Sequence, residues 1–124
     1  LSDNIFLLGF VQEKEKYQLM KKSKMFLFPS HEEGWGIAIV EAMACDACVV
    51  VYDVPPFNEI YGKAVMTVKN GDVKDFGEKV VEIIRNDELR NYICKVSRDF
   101  ADAHDWEIIA SREWEYIEKT LTGD

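Results

Sequence analysis

The run Cys48-Val49-Val50-Val51-Tyr52 limits the fold more than any other part of this chain. It is β-branched and continuous, with no polar residue on either side of the pleat. A strand of that kind needs cover on both faces, and this is the pattern of a central strand in a parallel sheet. Asp53-Val54-Pro55-Pro56 breaks it immediately, because prolines cannot continue a ladder.

The neighbouring segments fit a β-α-β arrangement. Ile5-Phe6-Leu7-Leu8, closed by Gly9, reads as a first buried strand. Residues 13–23 read as an amphipathic helix with Tyr17, Leu19 and Met20 inside. Met25-Phe26-Leu27-Phe28 is a second strand stopped by Pro29, and a helix is expected from about Gly36 to Cys45. Phe57 to Tyr61 is a helical turn, and Ala64 to Val68 a short fourth strand before the Asn70-Gly71 turn.

Helices dominate from Asp72 onward. Asp72 is placed to cap a helix on which Val73, Phe76, Val80, Val81, Ile83 and Ile84 recur at helical spacing. Asn86-Asp87 caps the next, with Leu89, Tyr92, Ile93, Val96 and Phe100 inside. Asp105 caps a last helix carrying Trp106, Ile109, Trp114, Ile117 and Leu121. The expectation is an α/β, three-layer Rossmann-like domain with right-handed crossovers, its last three helices packed over or beside the sheet. Four strands are few for such a domain. The first strand or two are therefore expected upstream of Leu1, making residues 1–124 a partial domain.

The chain has 124 residues, enough for one domain, and 48% of them are hydrophobic, enough for a modest core. A net charge of −8 argues against non-specific nucleic-acid binding, since such a surface repels phosphate backbones. It leaves room for a small anionic ligand held by backbone amides. No apolar run approaches the roughly 20 residues of a membrane span. Cys45, Cys48 and Cys94 are odd in number, and Cys45 falls at the C-terminal end of a helix, the wrong pole for a reactive thiolate. His31 and His104 offer no matching zinc spacing, so structural thiols are expected.

The chemistry concentrates in Ser30 to Glu41, directly after a strand, where open α/β sheets place their ligands. Gly34 and Gly36 flank Trp35 and permit left-handed backbone and close approach. The amides of Ile37, Ala38 and Ile39 then open a helix and favour negative charge or hydroxyl oxygens. That helix is apolar all round except for Glu41. A buried carboxylate is costly unless paired. Two readings stand side by side: Glu33 and Glu41 face a ligand in the strand-end cleft, or Glu33 is solvated and Glu41 pairs with a lysine.

Glu33-Gly34-Trp35-Gly36-Ile37-Ala38-Ile39-Val40-Glu41 resembles the E-x7-E motif of retaining GT-B glycosyltransferases, especially family 4. The flanks agree, in order and at the family's spacings. Phe6 to Val11 resembles "FLGFV", Met25 to Ser30 "VFVLPS", and Glu41 to Cys45 "EAMAC". Asn58-Glu59-Ile60 before Gly62 resembles "PEI". Asn86 to Arg90 resembles "DPELR", and Asp105-Trp106 resembles "SW".

The resemblance implies the C-terminal lobe, which binds a nucleotide-sugar donor. Glu33 would be the catalytic-site carboxylate at the transferred sugar. Gly34, Trp35, Gly36 and Ile37 would contact sugar hydroxyls and diphosphate through their amides. Glu41 would hold the ribose hydroxyls, and Phe10 and Val11 would lie near the base. The implied reaction transfers a hexose with retention to an acceptor such as a growing glycan or glycolipid, with no cofactor and no metal. The implied partners are the nucleotide sugar and the acceptor-binding N-terminal lobe of the same protein. The implied location is cytoplasmic, with any membrane contact made through that other lobe. A lobe alone would be inactive.

Asp46-Ala47-Cys48 departs from the family's Gly-x-Pro, and Trp35 replaces the commoner Phe, adding bulk near the donor sugar. The family's diphosphate-gripping Arg and Lys belong to a segment upstream of this stretch. Two other readings use the same scaffold. One is a non-catalytic nucleotide- or partner-binding module using the acidic surface and Trp106, Trp114 and Tyr116. The other is a related GT-B enzyme, an epimerase or phosphorylase.

Overall fold

A computed structural model describes residues 2–123. After a single helical turn at Ser2–Asn4 the elements run α1 (Glu13–Lys22), β1 (Met25–Phe28), α2 (Ile37–Ala44), β2 (Cys48–Asp53) and α3 (Phe57–Tyr61). A 3-10 turn (Gly62–Ala64) precedes β3 (Met66–Lys69), then α4 (Val73–Arg85), α5 (Asp87–Ala103) and α6 (Trp106–Thr122).

The sheet has order β1-β2-β3 and is parallel throughout, with Phe28 opposite Val51 and Asp53 opposite Lys69. As its composition requires, β2 is the centre: Cys48 through Tyr52 are all buried. Helices cover it. Ile39, Ala42 and Met43 of α2 and Ile83 of α4 are in the core, and α5 packs on α2 and β2. The fold class is thus the expected α/β Rossmann-like one, with three strands among the described residues rather than four.

The missing strand is Ile5 to Leu8. These residues lie outside the sheet and are exposed, Leu7 to 97%. Apolar character alone does not make a strand. Four residues become one only when ladder pairing offsets the entropy of ordering them, and none of the described residues pairs with them. The strand expected at 64–68 starts later, because Ala64 closes the 3-10 turn after α3.

All three predicted caps form. Asp72 accepts from the amide of Asp75, Asn86 from Leu89 and Asp105 from Glu107, each relieving an orphan donor. The helix faces differ from the expected ones more than the helix ends do. On α4 the inner stripe is Phe76, Val80 and Ile83, while Val73, Val81 and Ile84 face out. On α5 the stripe runs Ile93, Ser97 and Ala101, with Leu89, Val96 and Phe100 beside it; Tyr92 is exposed, about 100° round from Ile93. Leu19 of α1 is likewise exposed beside buried Met20.

The largest difference is α6. It forms, but no residue on it is buried, and Trp106, Trp114, Tyr116, Ile117 and Leu121 stand exposed. Its cap and helix-forming residues suffice for local structure, whereas full burial of its apolar side needs a closer facing surface than the described residues offer.

Candidate functional site

The loop from Pro29 to Gly36 leaves the C-terminal end of β1 and enters α2. Two contacts brace it. His31 Nδ1 lies 2.6 Å from Asn70 Oδ1, and Asn70 Nδ2 donates to the His31 carbonyl at 3.3 Å, joining the loops after β1 and β3. Deeper in, buried Tyr61 donates its hydroxyl to the Trp35 carbonyl and lies 3.3 Å from that of Gly36. Phe57 and Phe100 pack edge-on against the Tyr61 ring, with centroids 5.4 and 5.3 Å away. Burial, with the nearby Glu33 charge, pushes the Tyr61 phenol up to about 12, so it stays a donor at neutral pH.

The two glycines differ. Gly36 is left-handed, with φ +71°, and a Cβ there would lie 2.9 Å from Ile39 Cδ1. Gly34 has an ordinary φ and open space around it. The expected freedom is therefore needed at Gly36 alone. Its turn leaves the amides of Ile37 and Ala38 without hydrogen-bond partners among the described residues. The Ile39 amide is not free as expected, because it donates to the Gly36 carbonyl at 2.8 Å. A two-amide helix N-terminus therefore points out at the strand-end edge, the geometry that favours an anion or hydroxyl oxygens.

Glu33 is half-buried in this loop and accepts from Ser30 Oγ at 3.1 Å. Glu41 turns towards α1. Its Oε1 receives Lys16 Nζ at 2.7 Å and the Tyr17 hydroxyl at 2.7 Å. The lysine pairing left open by the sequence is thus present. Burial alone would raise the Glu41 carboxyl, but the Lys16 and Tyr17 hydrogen bonds outweigh it and lower its pKa. The same contact raises the pKa of both donors.

Beside α2 runs a cleft of about 440 Å³. Tyr17 and Lys21 form one wall, Ile37, Val40 and Glu41 the floor, and His104, Trp106 and Ile109 the other wall. Trp35 stands at its mouth, 44% exposed, 6.2 Å from both the Tyr61 and His104 rings. The volume is within the range of small-molecule sites. Of the remaining predicted residues, Phe10 is exposed and Val11 half-buried just ahead of α1, and neither lines the cleft.

The cysteines are free thiols. Burial pushes Cys48 up to about 12 and raises Cys45 and Cys94, which suits packing rather than nucleophilic roles. Among the described residues no group of three or more His, Cys, Asp or Glu is arranged to hold a metal ion.

Residues 1–100 match the family Glycosyl transferases group 1. This chain belongs to that family. It is 32% identical over 106 residues to an uncharacterised glycosyltransferase of Methanocaldococcus jannaschii, covering 84% of this chain and 30% of the relative. It is 29% identical over 126 residues to a phosphatidyl-myo-inositol mannosyltransferase of Mycobacterium leprae, covering 99% of this chain and 34% of that protein.

Among solved structures, the sucrose-phosphate synthase of Thermosynechococcus elongatus superposes with a TM-score of 0.87 at 18% identity, over 98% of this chain and 31% of its own. TarM superposes with a TM-score of 0.77 at 22% identity, over 93% and 24%. These likenesses establish the fold: a Rossmann-like portion of the GT-B architecture. The chain spans between about a quarter and a third of the length of these proteins. No helix among the described residues is long and apolar enough to cross a membrane.

Proposed function

We propose that this chain is the donor-binding part of a retaining glycosyltransferase that moves a hexose from a nucleotide sugar to a glycan or glycolipid acceptor. The observation that carries the reading is the α2 entrance. A left-handed Gly36 exposes the Ile37 and Ala38 amides at the strand ends, between a loop carboxylate, Glu33, and a helix carboxylate, Glu41.

In this reading the diphosphate and sugar hydroxyls meet the amides of Gly34 to Ile37, and the ribose hydroxyls meet Glu41. The base lies near Phe10 and Val11. Glu33 faces the transferred sugar, where a carboxylate can stabilise an oxocarbenium-like centre. The bond from the anomeric carbon to the leaving phosphate oxygen breaks, and the acceptor oxygen bonds on the same face. The acceptor proton passes to the leaving phosphate. Preorganised amides stabilise charge as it grows on that phosphate, so the reading includes neither cofactor nor metal. Acceptor binding, and any contact with a membrane surface, belongs to the protein's other lobe, on the cytoplasmic side.

The test is transfer by the full-length protein with Glu33→Gln, with the product anomer assigned by NMR. Retention, and a kcat that falls by much more than donor affinity, supports the assignment. Inversion rejects the retaining mechanism. A normal kcat rejects the role of Glu33. Donor binding without transfer or hydrolysis by the wild type would instead indicate a non-catalytic module. A rearranged free sugar nucleotide, or release of sugar phosphate, would indicate an epimerase or phosphorylase.

A further inference from the structure

We propose that Lys16 and Tyr17 are positioning residues for the donor, holding Glu41 by one oxygen so that the other is presented to a ribose diol. The proposal rests on the reading of Glu41 as the ribose contact and adds residues that lie outside the E-x7-E stretch.

The geometry is asymmetric. Lys16 Nζ and the Tyr17 hydroxyl both approach Oε1 of Glu41, each at 2.7 Å. Neither reaches Oε2. A carboxylate has about four acceptor positions, and two donors on one oxygen leave the second oxygen able to accept a pair of vicinal hydroxyls. The clamp also fixes the side chain. A glutamate on a helix surface has three rotatable bonds and loses rotamer freedom when it binds. With Oε1 held from α1, that ordering is complete before the ligand arrives.

The clamp bridges two elements. Lys16 and Tyr17 lie on α1, and Glu41 lies on α2, 25 and 24 residues further along. Tyr17 is itself part of the cleft wall next to Glu41, so a ligand at Oε2 lies against the clamp. The Lys16 ammonium also sits over the Tyr17 ring, 4.5 Å from its centroid, which ties the two donors together. Because Glu41 remains partly open to solvent, with 21% of its side chain exposed, the clamp does not close it off from a ligand.

The test uses the full-length protein, with Kd, KM and kcat measured for the ribo donor and its 2′-deoxy analogue. Tyr17→Phe and Lys16→Met should each weaken the ribo donor roughly 2–10-fold in Kd and KM, with kcat at saturation retained. The discriminating readout is the ratio of the 2′-deoxy donor Kd to the ribo donor Kd. It should be large in the wild type and fall towards one in both variants, while Lys16→Arg restores it. A purely structural role would weaken both donors equally. An unchanged ratio in variants that keep their thermal midpoint overturns the proposal. If Glu41→Ala also leaves the ratio unchanged, the ribose reading of Glu41 fails as well. If Glu41→Ala abolishes the ratio and the α1 variants do not, only the positioning role fails.

Discussion

The Tyr61 hydroxyl holds the carbonyls of Trp35 and Gly36 from 26 and 25 residues further along the chain. It connects α3 to the turn that opens α2 and so fixes the direction in which the Ile37 and Ala38 amides point. Tyr61→Phe keeps the ring packing and removes only the donor. It is expected to cost about 1 kcal/mol in thermal or denaturant unfolding. Donor affinity of the full-length protein should fall as well, because the amides lose their alignment. Unchanged stability and affinity would mean that the turn holds its shape without Tyr61.

The glycines on either side of Trp35 should respond differently. Gly36→Ala forces a side chain into left-handed backbone, worth roughly 1–2 kcal/mol, and presses on Ile39. Gly34→Ala meets nothing and should stay within about 0.5 kcal/mol of the parent. Unfolding curves of the two variants compare them directly. Equal losses would contradict the assignment of the left-handed position.

Alkaline pH should weaken the fold through Tyr61 and Cys48. Both titrate near 12 in the folded state, above ordinary values of 10.0 and 9.0. A raised folded pKa favours the protonated group, so this contribution is complete below pH 9.0. It is then lost as pH climbs towards 12, first from Cys48 and then from Tyr61. Denaturant midpoints measured across that window should decline, and Tyr61→Phe should flatten the upper part. A midpoint constant to pH 11 would contradict the burial of both groups.

The parts of the fold that could be read from the sequence are those in which local pattern and final environment coincide. Val49 to Val51 admit only a doubly covered strand, and they are the sheet's centre. Asp72, Asn86 and Asp105 cap because an oxygen-bearing side chain ahead of a helix satisfies its own neighbours' amides. Leu7 and Trp114 stand exposed for one reason: apolar character announces a need for cover but not who supplies it.

The roles of Tyr61 and Ser97 carry no local signature, because their partners are distant in sequence. Ser97 is fully buried and donates to the Ala64 carbonyl at 2.6 Å, a pairing no local spacing encodes. A polar residue in line with Ile93 and Ala101 was the available signal. For Glu41 the sequence showed that a partner was needed, and left lysine and ligand as alternatives. The structure has the lysine on one oxygen, which leaves the second available.

The most direct measurement of the central claim is nucleotide-sugar titration of the full-length protein, comparing wild type with Glu41→Ala. A carboxylate holding two ribose hydroxyls should make the variant bind about 10–100-fold more weakly while its fold is kept. Unchanged donor affinity in a folded Glu41→Ala protein would contradict the account.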